Sequence, residues 1–165
     1  MKLNQYIYNV NYQVHEEDLC ALEIRSLFNL QLEGKVFFSS KELDPSISPF
    51  LKTRLEIIYK TSSFSDIIEL IKKDKITSHD FVVKYLELFS GDPYIKKRRE
   101  LCKGIGLIVQ GFPSFTSPKT TFGISFYKGN WYFGILVANN NKWKAQINKT
   151  VTIYVGDLIK KSFHT

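Results

Sequence analysis

Two periodicities of apolar residues succeed one another along the first half of the chain. Alternation of apolar and polar residues is typical of strands, and recurrence every three or four residues is typical of amphipathic helices. Ser63 and Asp66 fit a capping box at the start of a helix. The patterns predict strands at Gln5–Tyr12, Lys35–Ser39, Thr53–Lys60 and Asp80–Leu88, and helices at His15–Phe28 and after Ser63.

The second half begins with a predicted helix and ends with a predicted hairpin. Asp92 as N-cap and Pro93 as first helical residue predict a helix through about Val109. Residues 111–120, GFPSFTSPKT, contain the Gly and Pro residues of a loop. Thr121–Tyr127 and Trp131–Val137 alternate around a Lys-Gly-Asn turn and predict a hairpin.

This order of elements predicts an α+β fold. The first six elements follow the β-α-β-β-α-β order of a ferredoxin-like unit, although the last strand also suits the second half. The second half predicts a β-α-β-β unit. We therefore expect a ferredoxin-like domain over residues 1–75, a second domain over 76–141 and a linker or tail over 142–165.

Composition narrows the class of protein. With 165 residues, 44% of them hydrophobic, the chain can bury a core without a metal or disulfide. No apolar run approaches the length of a membrane span, and the N-terminus lacks the apolar core of a secretion signal. Two cysteines without a CxxC spacing and three scattered histidines predict neither a disulfide nor a metal site. We expect a cytoplasmic protein.

The positive charge is concentrated in the second half. Residues 1–93 carry 11 Lys and Arg against 14 Asp and Glu, a net charge of −3. Residues 94–165 carry 12 against 2, a net charge of +10. Such asymmetry favours a polyanionic partner over a merely solvated basic face, because cations that bind phosphates release condensed counterions.

The strongest candidate site is the start of the second-half helix. Cations oppose the helix dipole there, and departures from local preference often mark function. Further lysines in later loops extend the basic track, and three aromatic residues are candidates for base stacking, although Trp131 suits the core better. The candidate nucleic-acid-binding residues are Lys96, Lys97, Arg98, Arg99, Lys103, Lys119, Lys128, Lys142 and Lys144, and the candidate stacking residues are Phe112, Phe115 and Trp131.

No catalytic motif stands out. Asp92-Pro93-Tyr94 partly matches the Asp/Asn-Pro-Pro-Tyr tetrad of amino-group methylases, but one proline is missing and helix capping explains Asp92 and Pro93. Gly104-Ile105-Gly106 lacks the strand and the third glycine of a dinucleotide loop. These two glycines weaken the helix by about 1 kcal/mol each, so tertiary packing or a close backbone approach must offset them.

Several segments resemble the front half of bacterial THUMP-containing RNA methyltransferases. They are YIYNVNY, HEEDLCALEIRSLF, DPSISPF, RLEIIY, KKRRELCKGIGLIVQG and FTSPKTTFGISFYKGNWYFG. The resemblance covers residues 5–149 and implies a ferredoxin-like domain followed by a THUMP-like domain, which together capture tRNA or another structured RNA. It places the RNA-facing region at Lys96–Lys103 and around Pro118 and Lys119. Lys119 departs from the acidic residue usual at its position.

The resemblance also implies S-adenosylmethionine as the cofactor of a Rossmann-like catalytic domain that follows. We expect no cofactor site in this chain and no methyl transfer by it alone. The function predicted is RNA capture for a methyltransferase. The alternative is an interaction subunit that docks on a separately encoded catalytic partner or associates with itself.

Overall fold

A computed structural model describes residues 4–114 and 118–141, which form seven strands and three α-helices. The α+β class predicted from the sequence is confirmed. The strands are β1 (Tyr6–Val10), β2 (Val36–Ser39), β3 (Leu51–Thr61), β4 (Thr77–Tyr85), β5 (Gln110–Pro113), β6 (Thr120–Tyr127) and β7 (Asn130–Ala138). The helices are α1 (Glu17–Phe28), α2 (Phe64–Asp74) and α3 (Arg98–Gly106), with 3-10 turns at Val14–Glu16, Pro45–Ile47 and Ile95–Lys97.

All seven strands belong to one mixed sheet in the order β2-β1-β3-β7-β6-β4-β5. Strand β4 runs parallel to both of its neighbours, β5 and β6, and the other pairs are antiparallel. The fourth strand of the predicted ferredoxin-like order therefore lies in the second half of the sheet, which was the alternative assignment. The domain boundary at residue 75 stays a prediction. In the sheet, β3 from the first predicted domain pairs with β7 from the second.

The three helices cover one face of the sheet. Helix α1 packs Cys20, Ile24 and Phe28 on the β1–β2–β3 part, whereas α2 and α3 pack on the β3–β7–β6–β4 part. Residues opposite each other on paired strands share a face. The pairs that join Leu55 to Ile7 and Leu136 thus run across the second face, which Leu86 and Leu88 partly cover.

Two local predictions are confirmed. The Ser63 hydroxyl accepts a hydrogen bond from the Asp66 backbone N–H at 3.2 Å and caps α2. The predicted hairpin is β6–β7, and both turn residues, Lys128 and Gly129, have positive φ, as a type I′ turn requires.

The predicted bounds of β4 were wrong. The β4 strand was predicted at Asp80–Leu88, but it begins at Thr77 and ends at Tyr85. Leu86 still donates a backbone hydrogen bond to the sheet, at 2.8 Å from the Ile124 carbonyl oxygen, and the chain then turns across the second face. Burial of Leu86 and Leu88 on that face accounts for the apolar alternation that extended the prediction.

The loop predicted at residues 111–120 was also wrong in part, because Gln110–Pro113 forms β5. A proline is tolerated there since β5 is an edge strand. Gly111 has φ +138°, and a Cβ on it would lie 1.6 Å from the Ser78 carbonyl oxygen. The glycine that suggested a loop is thus required by a close approach between β4 and β5.

Within residues 4–114 and 118–141, no helix combines the length and apolar character needed to cross a membrane.

Candidate nucleic-acid interface

The chain that leads into the basic helix is anchored by a buried carboxylate. Asp92 is 3% exposed and accepts hydrogen bonds from the Tyr85 hydroxyl at 2.5 Å and from the Tyr94 backbone N–H at 2.9 Å. Burial and this bond to Asp92 raise the pKa of Tyr85, which therefore stays a neutral donor. The carboxylate of the partial methylase motif is thus engaged in hydrogen bonds within the fold.

Tyr94 fixes the same point to the sheet. Its ring lies 4.6 Å from the Trp131 ring and 4.9 Å from the Phe126 ring, measured between centroids. Phe126 and Trp131 form the last pair but one before the β6–β7 turn. The basic helix therefore starts beside the hairpin end of the sheet, in a fixed position.

The helix is shorter than predicted. Asp92 and Pro93 do not begin it, because the chain first makes a 3-10 turn at Ile95–Lys97 and α3 begins at Arg98. The N-cap positions of the 3-10 turn and of α3 are occupied by Tyr94 and Lys97, so the prediction of Asp92 as N-cap and Pro93 as first helical residue was wrong. Helix α3 ends at Gly106, three residues before the predicted end.

We call residues 96–103 the basic segment. Its five cations, Lys96, Lys97, Arg98, Arg99 and Lys103, are all exposed. One arm of the Arg98 guanidinium donates to the Ile95 carbonyl oxygen at 2.7 Å. The ion pairs found in the described parts of the chain, Arg54–Glu42 and Lys72–Glu69, both lie elsewhere.

The N-terminus of α3 strengthens this positive field. Its N-cap, Lys97, makes no side-chain capping hydrogen bond, and Glu100 is the one acid in the first turn. The helix dipole adds partial positive charge at the same end. Phosphate groups are the ligands that such a cluster of exposed cations suits best.

The later lysines are divided between two ends of the sheet. Lys128 lies in the β6–β7 turn, at the end where the basic segment starts, and its ammonium is 5.4 Å from the Tyr127 ring centroid. Lys119 precedes β6 and lies at the end of that strand opposite the turn, roughly 27 Å from Lys128 along its eight residues. Lys142 and Lys144 fall outside the described residues, so their assignment stays a prediction.

The candidate stacking residues differ in their exposure to solvent. Trp131 is 3% exposed and packs against Phe64, Tyr94 and Phe126, so it belongs to the core. Phe112, on the edge strand β5, is 72% exposed, and its ring makes an edge contact with the His79 ring at 6.3 Å between centroids. Phe115 lies outside the described residues.

A groove that the sequence did not reveal runs beside the basic segment. It has a volume of about 380 Å³ and lies between α3 and strands β4 and β5. We call it the α3 groove. Its lining residues are Phe81, Val82, Val83, Arg99, Cys102, Lys103, Gly106, Leu107 and Pro113.

The glycines of α3 take on a different meaning beside this groove. A Cβ added at Gly104 or Gly106 would meet no atom within 4 Å, so a close backbone approach does not explain either residue. Gly106 opens onto the groove, and Gly104 does not line it. In the described parts of the chain, no group of three or more His, Cys, Asp or Glu side chains is placed to hold a metal ion.

Comparisons with known proteins give a fold but no sequence relative. No protein-family model matches this chain, and no curated protein matches it in sequence. Among solved structures, it is similar to a 4-thiouridine synthetase in complex with RNA and ATP, with a TM-score of 0.52 and 11% identity over 81% of this chain and 41% of that one.

Two further structures are similar at the same level. PH1313 from Pyrococcus horikoshii has a TM-score of 0.51 and 10% identity over 84% of this chain and 55% of that one. TrmN from Thermus thermophilus has a TM-score of 0.53 and 10% identity over 81% and 46%. The chain thus spans about half the length of each neighbour. These likenesses support a THUMP-like fold.

Proposed function

We propose that this chain is the RNA-capturing part of an RNA-modifying enzyme, with tRNA as the first RNA to test. The observation that carries the proposal is the basic segment. Its five cations are exposed within eight successive residues, and the ion pairs of the described residues lie elsewhere. One structural neighbour, the 4-thiouridine synthetase, is in complex with RNA, which supports the same class of ligand.

The cations act on RNA through its phosphates. Arg99 offers a planar fork that binds a phosphate bidentately, whereas Lys96, Lys97 and Lys103 act as point charges. Such contacts set affinity and orientation but carry no sequence information. The rigid start of the segment at Asp92 and Tyr94 keeps the cations in place, so less ordering entropy is lost on binding.

The finer assignment is a cytoplasmic S-adenosylmethionine-dependent RNA methyltransferase. It rests on the sequence resemblance of residues 5–149. In this proposal methyl transfer and S-adenosylmethionine belong to a separate Rossmann-like domain, and this chain presents the RNA to it. Calorimetry with S-adenosylmethionine and the isolated chain tests the division, with no heat of binding expected.

The experiment for RNA capture is a fluorescence-anisotropy titration of labelled tRNA at low salt. We expect micromolar affinity and a loss of about tenfold or more in Lys96→Glu with Arg99→Glu, because two phosphate contacts become repulsive. The matched control is Lys72→Glu with Lys73→Glu on α2, which makes the same change of net charge away from the basic segment. Equal losses in both variants, or no binding by the wild type, would refute the proposal.

An interaction subunit is the second candidate, favoured by the outer face of α1. Leu19 and Leu22 are 59% and 65% exposed there, next to Glu17 and Asp18. An acidic apolar face of this kind suits a basic protein surface, including the second half of another copy. Light scattering after size exclusion distinguishes the two: a salt-sensitive dimer that ignores RNA supports this candidate.

A further inference from the structure

The α3 groove joins an apolar floor to two cations. Phe81, Val83 and Pro113 come from strands β4 and β5, and Cys102 and Leu107 come from the helix. Arg99 and Lys103 are four residues apart in α3, so they project on the same side of the helix and both line the groove. The two charges therefore stand directly beside the apolar surface.

The groove wall stays neutral at ordinary pH. Cys102 is half-buried, and burial raises the pKa of its thiol to about 11. A protonated thiol behaves as a small apolar group. Apart from the two cations, the lining side chains are thus apolar, and they include no strong hydrogen-bonding group that would read the edge of a base.

The size of the groove and its charge select the occupant. A volume of about 380 Å³ falls in the range of small-ligand sites. A nucleotide combines a flat apolar face with an adjacent phosphate, and this pairing matches an apolar floor with Arg99 and Lys103 beside it. A base inside a duplex cannot enter, because its faces are already covered by its neighbours in the stack.

We propose that the α3 groove binds one unstacked nucleobase of the RNA, while Arg99 and Lys103 bind the phosphates that flank it. The inference rests on the proposed function and refines its substrate class to RNA with an unpaired nucleotide. Recognition is independent of the base's identity, since every base has an apolar face. Single-stranded or bulged RNA therefore binds more tightly than a duplex of the same charge.

Gly106 provides a specific test. A Cβ at this position would meet no atom within 4 Å, so Gly106→Leu places an apolar side chain at the groove and removes a helix-weakening glycine. Gly104→Leu is the matched control, because Gly104 lies in the same helix, has equal space and does not line the groove. Both variants keep every cation of the basic segment, and thermal unfolding checks that both are folded.

The measurement compares a short single-stranded oligoribonucleotide with the same sugar–phosphate chain lacking its bases. For the wild type and Gly104→Leu we expect the base-containing strand to bind about tenfold more tightly, in keeping with base stacking. Gly106→Leu should bind both strands alike, at the affinity of the base-free chain.

Each other outcome is decisive. Equal binding of the two strands by the wild type overturns the inference, while RNA capture through the phosphates stands. Discrimination that survives in Gly106→Leu overturns it as well, because the base then binds elsewhere. Failure of the wild type to bind either strand while it binds tRNA overturns the inference alone, whereas failure to bind tRNA as well refutes the proposed function.

Discussion

Asp92 stabilises the fold and also positions the basic segment. It is a buried charge whose oxygens are satisfied by Tyr85 and by the Tyr94 backbone, and it fixes the point from which the basic segment departs. A buried carboxylate that loses a donor pays the desolvation cost of its charge. The stability of the fold and the placement of the cations therefore depend on the same contact.

Removal of the donor tests this contact. Tyr85→Phe should lower the free energy of unfolding by about 1–3 kcal/mol, because the Asp92 carboxylate stays buried with one partner fewer. Urea denaturation measures the change. Tyr127→Phe is the control, as the Tyr127 hydroxyl makes no hydrogen bond to the described residues; an equal loss in both variants would contradict the role of Asp92.

Two tyrosines make the fold sensitive to alkaline pH. Burial, together with bonds to Asp74 and Asp92, raises the pKa of Tyr59 and of Tyr85 above the usual value near 10. The folded state then retains protons that the unfolded chain releases, so the contribution of these tyrosines to stability is full below about pH 10 and is lost as the pH rises further. Burial also raises the pKa of the Cys20 and Cys102 thiols to about 11, so a shallower decline begins near pH 9. Chemical denaturation between pH 8 and 11 should show both parts, and the double variant Tyr59→Phe with Tyr85→Phe should reduce the part above pH 10.

Asn139, the residue after β7, holds a loop that is distant in sequence. The Asn139 amide nitrogen donates to the carbonyl oxygens of Pro45, Ser48 and Leu51 at 3.0, 2.8 and 2.9 Å. The Ser46 hydroxyl bonds to Asn140 at 2.6 Å. The two halves of the chain are thus joined by polar bonds as well as by the sheet.

Substitution at Asn139 separates donor loss from packing loss. Asn139→Asp keeps the size of the side chain but turns its donors into acceptors, so it should destabilise the protein more than Asn139→Ala. We expect a loss of about 1–3 kcal/mol for Ala, because three carbonyls lose a donor. Thermal and urea unfolding of the two variants measure the order, and a more stable Asp variant would contradict this account.

The predictability of each element depends on whether its determinants are local. Ser63 and the Lys128-Gly129 turn act through neighbours in the chain, so α2 and the hairpin were found from the sequence. Strand β5 was missed because Gly111 and Pro113 are loop residues by local preference and become a strand only against β4. The α3 groove has no local signature at all, since it joins positions from Phe81 to Pro113.

One sheet carries the whole described molecule. Strand β3 pairs with β1 on one side and with β7 on the other. The β3–β7 pair therefore joins the two predicted domains into one sheet. Residues 1–93, with a net charge of −3, supply strands β1 to β4. The basic segment lies in and just before α3, which packs against β4.

This continuity predicts cooperative unfolding. Trp131 fluorescence, measured in a Trp143→Phe variant so that it is the sole tryptophan, reports on the second half, and far-UV circular dichroism reports on the whole chain. The two should give coincident urea transitions. Two separate transitions would show instead that residues 1–75 and 76–141 unfold as independent domains.

The salt dependence of tRNA binding is the most direct test of whether the basic segment binds RNA phosphates. If the basic segment binds phosphates, log K should fall linearly with log salt concentration, and Lys96→Glu with Arg99→Glu should reduce the steepness by about 2. The control variant on α2 should keep the wild-type slope. An affinity that is independent of salt, or a slope unchanged by the substitutions in the basic segment, would contradict capture of RNA by this surface.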